Sequence, residues 1–385
     1  MSNLIVIAAS NSTAANKDKA DYICSGKNDE TVINKAIEKL DKGGTVKLLD
    51  GDYFVDSFPN EGNSAIFFGY NEGNARVVNI VGDTENKAYN TRFGVSIHVS
   101  ETAFRSMRAG ETYRVFYGTP CKPDMPPDFY TYTHVNNANF ENFYLFLKNA
   151  SHPVIGIDCI NFGSAYIRQV GVFTEQYFED RFLHLKPAPP CPGCIGINSC
   201  PGSNDEMARI RYDTVDVGGL YIGYQLNGVD HLVMTVCTAA RCCYGYVFTS
   251  SAKTISMINC ADEGNTHLPR FIGTGQLTNI DFNIERFNAA FIPDDIAGGL
   301  PKATEERPGR WHGFISYTLQ GKAFGVDKFW EDGHGQNFRT VNLLHSLIER
   351  PQSPEFLETY FDIATNLTLT WNGTNWVDAM GHVTN

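Results

Sequence analysis

The sequence predicts an all-β chain in which short strands stack into a solenoid, with one helix at the N-terminal end and a small β element at the C-terminal end. Two observations carry this. Between about Val154 and Asn283 a short apolar segment carrying a glycine recurs, and each copy is followed after a polar turn by a second alternating segment. The glycine-bearing segments are Ile155-Gly156-Ile157, Ile195-Gly196-Ile197, Ile222-Gly223-Tyr224-Gln225-Leu226 and Tyr244-Gly245-Tyr246-Val247-Phe248. The alternating segments are Ile167 to Val172, Ile210 to Val217, Leu232 to Cys237, Ile255 to Cys260 and Leu277 to Asn283. The second observation is the period. Gly196 to Gly223 is 27 residues and Gly223 to Gly245 is 22, which suits one coil of a repeat that buries its apolar face only by stacking on its neighbours.

In chain order, residues 28–42 read as an amphipathic helix. Asn28 or Asp29 is placed to cap it, Glu30 lies in its first turn, and Val32, Ile33, Ala36, Ile37 and Leu40 share one face. Gly43-Gly44 ends it. Thr45 to Leu49 and Tyr53 to Val55 then read as strands around the turn Asp50-Gly51-Asp52. Arg76 to Gly82 and Val95 to Val99 are further strands. Residues 120–132 and 174–193 are rich in proline and break the pattern, so they predict long excursions that wall a binding site or contact a neighbouring subunit. After Phe291 the repeat fades, although residues 313–347 can add strands. Tyr360-Phe361-Asp362 and Leu367 to Asp378 read as strands closed by an Asn372-Gly373 turn. The organisation expected is a cap with first strands over 1–55, a solenoid with excursions over 56–347, and a C-terminal hairpin element over 348–385.

Two stretches resemble known families. Ala20 to Gly26, Asn28-Asp29-Glu30, Ile33 to Ile37, Gly43 to Val46 and Leu49 to Tyr53 resemble the opening of pectate-lyase-like right-handed parallel β-helix proteins. The resemblance implies a single-stranded right-handed parallel β-helix whose N-terminal end is covered by the capping α-helix, and a carbohydrate-active protein. The cap has a physical purpose, because the first coil otherwise exposes its core and an unpaired strand edge. Arg350-Pro351, Tyr360-Phe361-Asp362 and Trp371-Asn372-Gly373 resemble C-terminal elements of phage tail-fibre and tailspike-like proteins. That likeness implies a homotrimer and, if it holds, association with a virion.

Composition narrows the partners. The formal net charge is -12, which repels nucleic acid and anionic membranes. No apolar run is long enough to span a bilayer. Met1 to Ile7 carries no basic region ahead of a long apolar stretch, so a cytoplasmic location is expected, and the 10 Cys are expected as free thiols. Cys191-Pro192-Gly193-Cys194 supplies one half of a zinc site without a matching second pair, so neither a metal nor another cofactor is expected. Cys237 and Cys260 hold equivalent repeat positions and read as stacked core residues.

The expected ligand is an oligo- or polysaccharide, and the expected activity is glycoside hydrolysis or transglycosylation. Both need two carboxylates across the scissile bond. Strands about 4.8 Å apart let carboxylates on neighbouring coils reach that separation. The candidates, in order, are Asp205, Glu206, Asp213, Asp216 and Asp230, each of which also fits a solvated turn. Tyr212, Tyr224, Tyr246 and Trp311 are candidates for stacking on sugar rings or for core positions, and Arg211 for a polar substrate contact. A polysaccharide lyase, using a Lys or Arg base, is the second enzymatic reading; it lacks a compact acidic cluster for calcium. Asp294-Asp295 and Gly333-His334-Gly335 match two of three polygalacturonase motifs, but the Asn-Thr-Asp motif is missing. A non-catalytic, tailspike-like glycan-binding protein is the rival from another class.

Overall fold

The computed structural model describes residues 3–69, 76–84, 94–118, 137–148, 152–159, 162, 164–175, 177, 191, 193–199, 209–226, 231–248, 252–263, 265, 270–271, 274–285, 310–312, 315–319, 322–324, 330–331, 337–338, 359–362, 367–378 and 382–383. The described chain is mostly strand, and as far as Glu285 the strands pair in parallel. Three ladders form. The first runs from Leu4–Ala8 through Gly44–Leu48, Val77–Gly82, the N-terminal halves of Asn137–Leu147 and Ser164–Thr174, and Arg209–Asp213 to Leu232–Thr235 and the start of Ala252–Glu263. The second runs from Gly51–Val55 through Val95–Val99, the C-terminal halves of the same long strands, Asp216–Gly218 and Thr238–Ala240 to the end of Ala252–Glu263. The third joins Ser64–Phe67, Tyr113–Tyr117, Val154–Asp158, Ile195–Ser199, Ile222–Leu226, Tyr244–Phe248 and Arg270–Phe271. The chain visits the ladders in the order first, second, third before it advances to the next repeat.

In five repeats the turn from first to second ladder is made at one left-handed residue. Asn142, Gln169, Thr214, Val236 and Asn259 all sit at φ between 52° and 61°, each at the bend of its own repeat. The bend reverses which face the side chains point to. It therefore lets Phe140 and Phe143, or Ile210, Tyr212 and Val215, point into one core although they are not in simple alternation. Buried tyrosines add hydrogen bonds to the carbonyls around the bends, two of which, Val215 O and Cys237 O, also accept a backbone amide. Tyr224 Oη donates to Val215 O at 2.5 Å and to Thr238 O at 3.3 Å, and Tyr246 Oη donates to Cys237 O and Ala261 O at 3.0 Å each.

The repeat's glycine has a steric cause. In the third ladder the glycines lie one above another, and a Cβ on Gly156, Gly196 or Gly223 would stand 2.6–2.7 Å from the carbonyl oxygen of the next glycine in the column. The same Cβ on Gly223 would meet Val217 Cγ2 at 2.7 Å, and on Gly196 it would meet Leu220 Cδ1 at 2.9 Å. Only hydrogen fits between this ladder and the core.

The helix spans Asp29–Lys39 and buries Ile33, Ala36 and Ile37. Its cap differs from expectation. Asn28 holds the N-cap position in a left-handed conformation, and its side chain makes no capping bond. Asp29 instead turns inward, accepting from Gly26 N at 3.0 Å and Phe54 N at 2.9 Å, and Glu30 accepts from Ser57 Oγ at 2.6 Å. Both acids are buried, and burial pushes both carboxyls above their ordinary range against the pull of these donors. They fasten the helix to the first repeats. The edge of Leu4–Ala8 is closed by Asp21, whose amide donates to Val6 O and whose Oδ2 accepts from Val6 N, each at 2.8 Å.

Near the C-terminus, Thr359–Asp362, Leu367–Trp371 and Trp376–Val377 form an antiparallel sheet. Asn372 Oδ1 accepts from Thr374 N and Asn375 N across the expected turn, and Gly373 is left-handed at φ 93°. No helix among the described residues is long and apolar enough to cross a membrane.

Replacing Gly223 with Ala is expected to lower stability by about 1–3 kcal/mol, the usual cost of overpacking a filled core. A fall in the urea midpoint at unchanged slope is the measurement; an unchanged midpoint would contradict the steric account.

Candidate functional site

Each ladder presents a different face away from the core. On the first, Glu141, Arg168 and Asp213 are register partners, and Arg168 Nη2 lies 2.6 Å from Glu141 Oε2. Beside them the Arg211 guanidinium sits 5.5 Å from the centroid of Tyr166, whose hydroxyl lies 3.5 Å from Asp213 Oδ2. Asp213 and Arg211 therefore share a solvated, charge-alternating face. Asp216 does not join them. The bend at Thr214 sends it to the second ladder, as register partner of Gly171 and close to Tyr144. Burial, with the Asp216 charge adding, pushes the Tyr144 phenol up to about 12. Asp213 and Asp216, expected within one strand segment, thus face different ladders.

Tyr212, Tyr224 and Tyr246 are fully buried. Tyr212 and Tyr224 stack at 6.1 Å, Tyr224 and Tyr246 at 5.0 Å, and a sugar ring has no access to any of them. This corrects their assignment as sugar platforms: they point inward and take the core alternative. Asp205, Glu206 and Asp230 lie outside the described residues. Trp311 falls in the strand Arg310–His312; its side chain lies outside the described part. Cys237 and Cys260 are buried, free and adjacent in the core. Cys194 is buried with its thiol pushed up to about 12, chiefly by burial, and the described residues hold no group of three metal-ligating side chains.

The third ladder carries a polar row that the sequence reading passed over. Tyr117, Asp158, Asn198 and Gln225 are successive register partners. Arg114 Nε donates to Asp158 Oδ2 at 2.6 Å, and its Nη1 donates to Gly62 O at 2.7 Å. Asn198 Nδ2 donates to Asp158 Oδ1 at 2.9 Å. The acceptor-only carboxylate fixes the orientation of the Asn198 amide. That leaves the buried Asn198 Oδ1 without a donor among the described residues. Arg114 also lies 4.9 Å over the ring of Tyr117, which stacks on Phe67 at 6.0 Å. Burial raises the Tyr117 phenol, opposed by the Arg114 charge and reinforced by Asp158 and Glu61. The signal was in the motif. The residues two places after Gly156, Gly196 and Gly223 are Asp158, Asn198 and Gln225, and two places after Gly245 the polar series ends at Val247.

Three long connections adjoin this row. Residues 118–136 follow the strand Tyr113–Tyr117, residues 175–194 precede Ile195–Ser199, and residues 200–208 follow it. Asp205 and Glu206 belong to the last of these.

On the second ladder a titratable cluster surrounds His98. Its Nε2 lies 3.3 Å from Asp52 Oδ1 and its Nδ1 lies 3.3 Å from Glu175 Oε1. Lys148 Nζ reaches Glu175 Oε2 at 2.7 Å. Phe54 and Phe146 stack on the two faces of the imidazole at 5.4 and 5.0 Å. Next to it Tyr144, Phe146, Phe173, Tyr177 and Ala240 form a second apolar cluster outside the main core. No family model, curated protein or solved structure matches this chain.

Tyr246→Phe is expected to lower stability by about 1 kcal/mol, the worth of a lost neutral hydrogen bond to buried carbonyls. Denaturant unfolding measures it. A change in affinity for a glycan at unchanged stability would instead restore Tyr246 as a ligand contact.

Proposed function

We propose that this chain is a carbohydrate-active protein built as a right-handed parallel β-helix, and that it hydrolyses or transfers glycosidic bonds on the outer face of its third ladder. The observation that carries the reading is the placement of the long connections. Segments 118–136, 175–194 and 200–208 all start or end at strands of that ladder, so all three border one row of planar polar side chains. Asp158 and Asn198 are buried and brace the row, while Tyr117 and Gln225 are half-buried at its ends, and the spacing of successive strands suits a ligand that itself repeats hydroxyl groups. Tyr117 and Phe67 add an aromatic pair at one end.

The reaction needs two carboxylates. Asp205 and Glu206, in the connection that follows Ile195–Ser199, lead the candidates for the two roles, and Asp230, soon after Ile222–Leu226, is the next. Hydrolysis suits the row better than elimination. A lyase acting on a uronic acid needs a base and a cation for the substrate carboxylate. Among the described side chains of this row the cation is Arg114, and it is already bonded to Asp158.

A second reading, a non-catalytic glycan-binding protein of the tailspike type assembled as a homotrimer, is favoured by one observation. The described part of the row holds a single carboxylate, Asp158, and it is fully buried and ion-paired. Incubation with a panel of neutral and acidic polysaccharides, followed by product analysis, separates the readings. Hydrolysis yields new reducing ends, elimination yields an ultraviolet-absorbing unsaturated product, and a binder yields neither. For the hydrolase, Asp205→Ala or Glu206→Ala is expected to lower turnover by roughly 10²-fold or more, the usual scale for general acid–base assistance, with thermal unfolding unchanged. Full turnover in both variants and in Asp230→Ala would refute the carboxylate assignment.

A further inference from the structure

The cluster at His98 has a charge balance that only one protonation state satisfies. A carboxylate oxygen can only accept, and a neutral imidazole has one N–H and one lone pair. With Asp52 on Nε2 and Glu175 on Nδ1, a neutral ring would aim its lone pair at a carboxylate. The imidazolium donates to both. It also balances the local charge, since Asp52 and Glu175 then face His98 and Lys148. The other described contacts of the ring and of Asp52 are uncharged. Asn11 Nδ2 donates to Asp52 Oδ2 at 2.7 Å, and Phe54 and Phe146 cover the ring faces, where they favour a cation.

Glu175 is the first residue after the strand Ser164–Thr174, so it opens the connection that leads to Ile195 of the third ladder. Two anchors hold this start. One is apolar: Tyr177 stacks on Phe173 at 5.4 Å and 9° and lies over Gly218 and Gly219, where a Cβ on Gly218 would meet it at 2.9 Å. Its amide donates to Thr174 Oγ1 at 3.2 Å. The other is Glu175, held by His98 from one repeat and by Lys148 from the next.

We propose that His98, as an imidazolium, is the positioning residue that clasps the start of the 175–194 connection to the second ladder, so that the border of the third-ladder face is set by protonation. The link to ligand binding rests on the function proposed above; the clasp itself does not. The direction of titration agrees with the geometry. Burial alone would lower the His98 pKa, but the hydrogen bonds and charges of Asp52 and Glu175 outweigh it and leave it above the ordinary 6.5. The Glu175 carboxyl is held below its ordinary 4.5, first by the His98 hydrogen bond and then, against burial, by Lys148. A raised His pKa contributes stability that is present below the unfolded value and is lost as pH rises through the folded one. A lowered Glu pKa contributes stability that is present above its unfolded value and is lost as pH falls through the folded one. The clasp is therefore closed between the lowered Glu175 pKa and the raised His98 pKa.

The test follows His98 by proton NMR and the amide hydrogen exchange of Glu175 and Tyr177 between about pH 5 and 9, corrected for the intrinsic rate. The expected result is a His98 titration above the ordinary value, with protection at both amides falling roughly tenfold across it, the scale of one lost charge-assisted hydrogen bond. His98→Phe keeps the aromatic stack and is expected to abolish the step. Glu175→Gln is expected to abolish it too and to lower the His98 pKa. Flat protection across the wild-type titration, or the same step in His98→Phe, overturns the clasp. Where a panel glycan binds, its affinity is expected to fall with the same midpoint, and a pH-independent affinity overturns the link to the site. If no glycan binds, the proposed function fails and the exchange step alone decides the clasp.

Discussion

The structure depends on how closely the third ladder approaches the core. Stacking strands in parallel at constant register leaves each repeat with a fixed interior, and the glycine column is where that interior is narrowest. Gly156, Gly196 and Gly223 each stand beneath the carbonyl of the next glycine while facing side chains of the second ladder, joined at Gly196 by Leu220. At Gly245 the carbonyl above is replaced by a polar pair, the buried Asp262 and Asn265. Asn265 bonds Asp262, Ala239 O at 2.9 Å and Cys242 N at 2.6 Å. The interior thus changes from stacked apolar residues to a hydrogen-bonded plug within one repeat. The Asn265 amide donates to one oxygen of that buried carboxylate, Oδ1, which lowers the cost of burying it.

The bends impose a second constraint, and it decides which chemistry reaches which face. A single left-handed residue turns the strand and inverts the in–out alternation, so residues two or three apart in sequence can share the core while their neighbours diverge. Asn at such a site suits the left-handed region, whereas a β-branched residue does not. Val236 holds the conformation at φ 53° and leaves 44% of its surface exposed. Its strain, about 1–3 kcal/mol, is sustained by the ladders on both sides. The bend position therefore has a conformation in common across repeats but no residue type in common.

This explains what was legible in the sequence. The glycines were visible because sterics admits one residue type, and Val95–Val99 and the Asn372-Gly373 turn were visible because period-two alternation and turn chemistry are local signals. The bends were invisible, since Asn142, Gln169, Thr214, Val236 and Asn259 share no side-chain property. Without the bend at Thr214, Asp213 and Asp216 read as members of one strand. The tyrosines failed for a related reason. An aromatic one place after the repeat glycine, as Tyr224 and Tyr246 are, fits either face of a strand by composition, and only their stacking with Tyr212, with their own hydroxyls on bend carbonyls and that of Tyr212 on Ser199, identifies the inward side. The polar row escaped because Asp158, Asn198 and Gln225 are chemically varied and the glycine ahead of them draws the eye.

The three outward faces then differ for reasons set inside. The first alternates Glu141, Arg168 and Asp213, a pattern that water screens and that holds neighbouring strands in register at little net energy. The second is apolar around Phe146, Phe173 and Tyr177, and it is closed because Gly171, Gly218 and Gly219 leave room for the aromatic rings. Only the third combines a polar row with long connections at its strand ends. The connection that opens at Glu175 crosses from the second face to the third. It leaves a surface packed by aromatic rings and an imidazole between two carboxylates, and arrives beside Asn198. A change in charge at His98 acts on a long connection whose start is fixed by ionisable groups, while Tyr177 holds the same start by contacts that do not titrate. The chain runs continuously from Glu175 on the second face to Ile195 on the third, so the proposed coupling between them requires no movement of the ladders.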